Sequence, residues 1–152
     1  MNPEPFLILH VEDDANDVLF FREACRKAAL PCEFEVVADG ELAIAYLRGT
    51  EQFGDRQRYP FPNLLLLDLK IPRKTGFEVL EWVRSQPSLS VLPVVIFTSS
   101  THEGDMRRAY GEGANSFLVK PVIFEELMET VKAIHLYWSR MNRTPALPFL
   151  LG

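Results

Sequence analysis

Five short apolar runs, separated by segments with helical periodicity, are the feature that most restricts how this chain can fold. The runs are Phe6–Val11, Phe34–Ala38, Leu64–Leu67, Val94–Phe97 and Phe117–Val119. The third run has no polar face, which is typical of a strand that is covered on both sides. Repeated strand–helix alternation favours right-handed crossovers. We therefore predict an α/β fold, a doubly wound five-stranded parallel sheet with helices on both faces.

The last helical segment and the longest connection each make a specific prediction. The apolar residues of the last helix are expected on a single buried stripe, formed by Leu127, Val131, Ile134, Trp138 and Met141. Leu136 falls opposite this stripe and Tyr137 at its edge. The connection Gly49–Pro62 is long and mixed in charge, which predicts a surface loop.

Charge and hydropathy argue against several kinds of partner. The chain of 152 residues has 16 basic and 21 acidic residues and a formal charge of -5, which argues against a nucleic-acid surface. No apolar run approaches the ~20 residues of a membrane span, and the first residues lack a signal peptide. We therefore expect a cytoplasmic protein that binds neither nucleic acid nor membrane. Cys25 and Cys32 lack metal-ligand or redox spacing and are expected to be buried thiols.

Polar residues that can carry chemistry stand directly after the first, third, fourth and fifth apolar runs. They are, in that order, Glu12 and Asp13, Asp68, Thr98 and Ser99, and Lys120. Ligand sites of open parallel sheets gather at the carboxyl ends of the strands. We therefore expect these side chains to lie along one rim of the sheet.

The acids on this rim predict a metal site. Glu12, Asp13 and Asp68 share a small volume if the first and third strands are neighbours. Like charges that close repel, and the pKa of one carboxyl would rise unless a cation intervenes. A hard divalent ion with oxygen ligands, Mg²⁺, resolves the conflict. Its expected ligands are these carboxylates and the backbone carbonyl of Lys70, with Lys120 as a second, fixed positive charge.

Asp68 is the expected nucleophile, because it stands alone after the central strand. A carboxylate can attack phosphorus and form an aspartyl phosphate. The metal and Lys120 would neutralise the phosphoryl oxygens, which Thr98 and Ser99 would contact.

A structural interpretation of the acids is also open. Acids that follow strands are often helix N-caps, and Asp14 and Asn16 could cap the first helix. Any one of these residues alone is more often structural. The combination of acids after two strands, a hydroxyl after the fourth and Lys-Pro after the fifth favours a functional site.

Four segments resemble the receiver domain of bacterial two-component response regulators. They are VEDD with Glu12 and Asp13, LLLLDLKIPRKTG with Asp68, IFTSS with Thr98, and FLVKP with Lys120. The resemblance implies a flavodoxin-like sheet with strand order 2-1-3-4-5. It implies that Asp68 accepts a phosphoryl group from a histidine kinase, with Mg²⁺, and that the protein has no enzymatic activity beyond its own phosphorylation and dephosphorylation.

The resemblance also implies a conformational switch. At two positions, this chain differs from the usual residues of the family. Thr98 and Phe117 match the switch hydroxyl and the aromatic residue that follows it, although core packing also accounts for Phe117. The Lys120–Pro121 bond is usually cis in the family. Glu12 replaces a more frequent Asp. Lys70 stands where a smaller or neutral side chain is common, and it either tunes the phosphoryl lifetime or is a solvated loop lysine.

The long connection before the third strand and the Ala-Leu-Pro tail resemble single-domain regulators that pair with bacterial phytochrome histidine kinases. We expect a receiver domain over residues 1–141 and a short apolar tail over 142–152 with no output domain. Relatives of this type imply a homodimer, here expected through the last helix and the tail, with Leu136, Tyr137, Leu147 and Phe149 in the contact. Alternatively, the tail folds back on its own domain.

Phe20 lies off the buried stripe of the first helix. It either contacts the kinase or packs against the last helix or the tail.

Three other functions were weighed against the phosphoacceptor function. A phosphohydrolase of the haloacid-dehalogenase type also uses an aspartate nucleophile, but it needs a second acid where Lys70 stands. A flavin-binding electron carrier needs a loop rich in glycine and hydroxyl groups after the first strand, where this chain has acids. A receiver that acts as an unphosphorylated scaffold is disfavoured because every residue type of the phosphorylation site is present.

Overall fold

A computed structural model describes residues 5–146 and contains one parallel sheet of five strands. The strands are β1 (Phe6–Val11), β2 (Cys32–Val37), β3 (Leu64–Leu67), β4 (Val94–Thr98) and β5 (Ser116–Val119). They pair in the order β2-β1-β3-β4-β5, all parallel. The fold class and the strand order implied by the resemblance are confirmed.

A helix follows each strand. The helices are α1 (Ala15–Lys27), α2 (Gly40–Arg48), α3 (Gly76–Ser85), α4 (Glu103–Gly111) and α5 (Phe124–Ile134). A π-helical segment, His135–Met141, continues α5, and two short 3-10 turns span Glu51–Phe53 and Pro87–Leu89. None of the helices in residues 5–146 combines the length and the apolar character that crossing a membrane requires.

The apolar run of β3 is buried on both faces of the sheet. Leu65 and Leu67 pack with α2 and α3 in one core, and Leu64 and Leu66 pack with α1 and α5 in a second core. All four leucines are fully buried. Burial of a leucine side chain contributes about 1.5–3 kcal/mol, so β3 is a rigid support for whatever stands at its carboxyl end.

The connection predicted as a surface loop lies on the surface, and its aromatic side chains pack onto the domain. Phe53 is buried, and its ring centroid lies 5.0 Å from that of Tyr46 in α2 and 5.2 Å from that of Tyr59. Arg56 donates hydrogen bonds to the carbonyl oxygens of Leu47 and Tyr59. Most of the connection is exposed, as predicted, but the prediction overlooked the aromatic side chains that anchor it.

The single stripe predicted for the last helix was wrong at its end. Ile134 is buried and Trp138 packs against the core, but Met141 is 63% exposed. A π-helix turns through a smaller angle per residue than an α-helix. The α-helical period used for the prediction therefore places Met141 on the buried side, whereas the π-helical segment turns it to solvent. Leu136 and Tyr137 are about half exposed, as predicted.

Two further expectations change in the structure. None of the described peptide bonds is cis, so the Lys120–Pro121 bond is trans, unlike the bond that the resemblance implied. Both cysteines are free, and burial raises the pKa of Cys25 to about 12 and that of Cys32 to about 11. Cys25 is buried as expected, whereas Cys32 is only partly buried and contacts Nδ1 of His135 at 2.9 Å.

Candidate functional site

The ammonium group of Lys120 stands among three carboxylates at the carboxyl edge of the sheet. Its Nζ donates to Oδ2 of Asp68 at 2.7 Å and to Oδ2 of Asp17 at 2.7 Å, and it forms an ion pair with Oε1 of Glu12. The side chains of Lys120, Glu12 and Asp68 are almost entirely buried. The structure therefore brings together a strand-end residue from each of β1, β3 and β5, as predicted.

The alternation of strand residues explains why these side chains meet. Residues two apart in a strand face the same side of a sheet. Glu12, Asp68 and Lys120 each follow by two positions a residue on the face covered by α1 and α5, namely His10, Leu66 and Leu118. Sheet pairing also continues past the strand ends, because the N–H of Asp68 donates to Val11 and that of Lys120 to Thr98.

Asp17 completes this group and was missed in the sequence. It lies in the first turn of α1, where Asp14 caps the helix by accepting hydrogen bonds from the N–H groups of Asn16 and Asp17. The structural interpretation of Asp14 is thus confirmed, and Asn16 is not the cap. The sequence places Asp17 in the first turn of the helix that follows the acids after β1, but its contact with Lys120 depends on tertiary packing.

The charged side chains of this group shift one another's pKa values. Burial alone would lower the pKa of Lys120, but its hydrogen bonds to Asp17, Asp68 and Glu12 outweigh burial and raise the pKa. Lys120 therefore stays charged. The pKa of Glu12 is raised to about 7, because burial raises it more than the hydrogen bond to Lys120 lowers it, and the charge of Asp68 adds to the rise. An added cation would favour the ionised form of Glu12.

The loop after β3 presents Asp68 at a fixed position. Oδ1 of Asp68 accepts a hydrogen bond from the N–H of Lys70 at 3.3 Å, while Oδ2 contacts Lys120. The N–H of Gly76 donates to the carbonyl oxygen of Leu69 at 2.9 Å and closes the loop. The side chain of Lys70 is exposed, as its interpretation as a solvated loop lysine predicts.

The hydroxyl groups after β4 occupy two different environments. Thr98 is buried, and its Oγ1 accepts a weak hydrogen bond from the N–H of Ser100 at 3.4 Å. Ser99 is exposed on the rim, and Ser100 is buried and donates to Oδ2 of Asp105 at 2.7 Å. Within the described residues, no hydrogen bond joins Thr98 or Ser99 to Asp68.

Phe117 lies beside Thr98 on one face of the sheet. It pairs in register with Ile96, and Thr98 is two residues after Ile96, so the three side chains share that face. Phe117 is partly buried and packs against the core. Its position suits both interpretations, the switch and the core packing.

The expected metal ligands lie along the rim, but they do not form a closed cluster. Glu12 and Asp68 are buried and pair with Lys120, whereas Asp13 is exposed. In the part of the chain that the structure describes, no three His, Cys, Asp or Glu side chains are grouped for metal binding. The donors at hand are carboxylates and the carbonyl of Lys70, and this hard oxygen set fits Mg²⁺.

The comparisons with known proteins place this site in a family. The family model described as the response regulator receiver domain matches residues 8–132. The probable methanogenesis regulatory protein FilR2 of Methanothrix harundinacea is 39% identical over 93% of this chain and 89% of its own length. The response regulator Rcp1 of Synechocystis is 35% identical over 95% of this chain and 96% of its own length.

Solved structures agree with the sequence comparisons. The phosphorylated cyanobacterial phytochrome response regulator RcpA has a TM-score of 0.85 and 33% identity, and the match covers 94% of this chain and all of RcpA. The Mn(2+)-bound form of the response regulator Rcp1 has a TM-score of 0.82 and 33% identity, over 93% of this chain and all of that one. The chain therefore belongs to the response regulator receiver domain family and has its phosphoacceptor signalling role.

Proposed function

We propose that Asp68 accepts a phosphoryl group from a histidine kinase and that this chain passes on the signal by changing conformation. The observation that carries the proposal is the ion pair of Lys120 Nζ with Asp68 Oδ2 at 2.7 Å, at the end of a fully buried strand. A carboxylate oxygen of Asp68 attacks phosphorus and forms a P–O bond. The P–N bond of the kinase phosphohistidine breaks, and its electron pair returns to the imidazole nitrogen.

Lys120 and a bound Mg²⁺ would share the task of neutralising the phosphoryl oxygens. Receiver domains bind Mg²⁺, and in this chain Glu12, Asp13, Asp68 and the carbonyl of Lys70 would hold it. The bound ion supplies a second positive charge for the phosphoryl group. Lys120 keeps its own charge at the site because its carboxylate partners raise its pKa over the effect of burial.

The rim also provides the parts of a switch. Thr98 and Ser99 stand at the end of β4, where their hydroxyl groups can donate to phosphoryl oxygens. The buried Thr98 would move toward Asp68 on phosphorylation and leave space on the face that it shares with Phe117. The ring of Phe117 would then turn inward, and the surface around α4 and β5 would change.

The partner kinase is proposed to be of the phytochrome type, as for the related RcpA. Four exposed apolar side chains follow Asp17 and Lys120 by two or three residues, and the ion pair of Asp17 with Lys120 joins α1 to the segment after β5. We name this group the α1–α5 surface, and it consists of Leu19, Phe20, Val122 and Ile123. Phe20 is 59% exposed and Val122 is 98% exposed. Groups of exposed apolar side chains usually mark a contact surface, and the exposure of Phe20 supports docking rather than burial for this residue.

We also propose a homodimer through the end of the last helix. Leu136 and Tyr137 are about half exposed on the π-helical segment, which supports a contact there. Leu147 and Phe149, the other residues expected in the contact, lie outside the described residues 5–146.

Incubation of the purified chain with acetyl phosphate and Mg²⁺, followed by intact-mass measurement, tests the phosphoacceptor proposal. The expected result is a gain of one phosphoryl group that chelation of Mg²⁺ and Asp68→Asn both abolish. Asp55→Asn is the matched control, because Asp55 is an exposed loop acid whose carboxylate caps its own turn. Continuous release of phosphate without a modified protein would favour a phosphohydrolase. No modification of the parent by any phosphodonor would favour the scaffold.

A further inference from the structure

We propose that Asp17 is a positioning residue that holds the ammonium group of Lys120 at the site while Asp68 is phosphorylated. The inference rests on the proposed function, because it concerns the same site. Asp17 Oδ2 accepts a hydrogen bond from Lys120 Nζ at 2.7 Å, the same distance as Asp68 Oδ2. Asp17 comes from helix α1 and not from a strand end, so it ties the lysine to the helical layer above the sheet.

Asp17 is the one carboxylate of the group that the phosphorylation cycle leaves unchanged. A lysine ammonium has three N–H donors, and here it faces Glu12, Asp17 and Asp68. Asp68 loses its negative charge when one of its oxygens bonds to phosphorus. Glu12 shares its charge with a bound cation in the proposed site. Asp17 therefore remains as the fully charged anchor for Lys120.

The anchor matters because a lysine side chain is long and flexible. Immobilising such a side chain costs conformational entropy. The hydrogen bond to Asp17 orders Lys120 before the reaction starts, so this entropy is not lost during the reaction. One N–H of Lys120 stays on Asp17, and the donor that was bound to Asp68 is free to follow the incoming phosphoryl oxygens. Without Asp17, Lys120 would lose its one unchanged partner as Asp68 is phosphorylated, and it would have to be held in place during phosphoryl transfer itself.

A simpler role for Asp17 predicts a different result. An acid in the first turn of a helix interacts favourably with the helix dipole, which contributes about 0.3–1 kcal/mol to stability. That role would be the same with or without Lys120. An effect on phosphorylation that requires Lys120 therefore separates positioning from helix stabilisation.

The first test compares Asp17→Asn with Glu23→Gln. Glu23 is also on α1, and its partly exposed carboxylate pairs with Arg26, so its variant makes the same change of charge away from Lys120. We expect Asp17→Asn to slow phosphorylation by acetyl phosphate and Mg²⁺ about three- to tenfold, the range for loss of a partly exposed charged hydrogen bond. Glu23→Gln should match the parent. An unchanged rate in Asp17→Asn, with the parent still modified, overturns the inference, whereas an unmodified parent overturns the proposed function instead.

The second test places Asp17→Asn in a Lys120→Met background. If Asp17 acts through Lys120, the second substitution adds nothing to the residual rate, because residues that act as a unit are not additive. The same fold loss in both backgrounds would overturn the inference. Circular dichroism melting checks that each variant is folded, and Lys120→Gln replaces Lys120→Met if the latter is not.

Discussion

Gly76 packs so closely against the main chain of Asp68 that a β-carbon on Gly76 would lie 2.2 Å from the Asp68 carbonyl oxygen. It would also lie 2.6 Å from Cα of Leu69. Main-chain atoms cannot move aside as the end of a flexible side chain can. The start of α3 is therefore built against the loop that begins at Asp68, the proposed phosphoacceptor, and a side chain at this position must displace that loop.

Gly76→Ala should destabilise the fold and slow phosphorylation together. Overpacking of this kind costs about 1–3 kcal/mol, and the displaced loop carries Asp68. Urea unfolding and the acetyl phosphate rate measure the two effects. Gly111→Ala is the matched control, since nothing lies within 4 Å of its β-carbon position. If both alanine variants resemble the parent, close packing at Gly76 does not hold Asp68 in place.

The free energy of unfolding should depend on pH because His10 is buried in its neutral form. The pKa of His10 is lowered to about 3, chiefly by burial and also by the charges of Lys120 and Arg22, while Asp68 opposes these effects. Nδ1 of His10 has no hydrogen-bond partner among the described residues. The unfolded chain binds a proton below about pH 6.5, while the folded chain resists it until about pH 3. This contribution to stability is therefore complete above pH 6.5 and is lost as the pH falls toward 3.

His10→Phe removes this titration and keeps an aromatic ring beside Phe21, whose ring centroid lies 4.9 Å from that of His10. The free energy of unfolding of the parent should fall, relative to the variant, by up to about 1.4 kcal/mol per pH unit between pH 6.5 and 4. Urea titrations over this range measure the difference, in which the contribution of Glu12 and other groups cancels. Parallel stability curves for the two proteins would show that His10 is not buried in its neutral form.

Much of the geometry of the candidate site was predictable because it depends on rules that hold for every parallel sheet. Asp68 follows a run of four buried leucines, and such a run determines where the strand ends. Once the strands are parallel, Glu12 and Lys120 must meet Asp68 at the same edge. Side-chain alternation then sets the face on which these groups lie. Neither step needs knowledge of distant contacts.

The residues that were missed depend on geometry that a sequence pattern does not contain. Asp17 reaches Lys120 only because α1 packs over the strand ends, and this placement follows from tertiary packing. Met141 has the spacing of a buried α-helical residue, but a change from α- to π-helical hydrogen bonding turns it to solvent. Phe53 is buried through the neighbouring rings of Tyr46 and Tyr59, which join two separate segments of the chain.

The α1–α5 surface predicts a kinase-specific defect. Phe20→Ser should slow phosphotransfer from a phytochrome-type histidine kinase, because Phe20 is exposed on α1 one turn after Asp17, which pairs with Lys120. It should leave the acetyl phosphate rate and the unfolding free energy near those of the parent, since a small phosphodonor needs no docking surface. Val91→Ser, a change in an exposed apolar residue before β4, is the control. A loss of stability in Phe20→Ser would instead indicate that Phe20 is buried in solution.

The proposed dimer predicts that solution mass depends on the end of the last helix. Leu136→Ser and Tyr137→Ser together should shift the protein from dimer to monomer in sedimentation velocity, because both side chains are half exposed and would be covered in the contact. Deletion of residues 143–152 should weaken the dimer further if Leu147 and Phe149 belong to the contact. Val91→Ser should keep the parental mass. A parent chain that is monomeric at high concentration would contradict the dimer, and a truncated chain that stays fully dimeric would remove the tail from it.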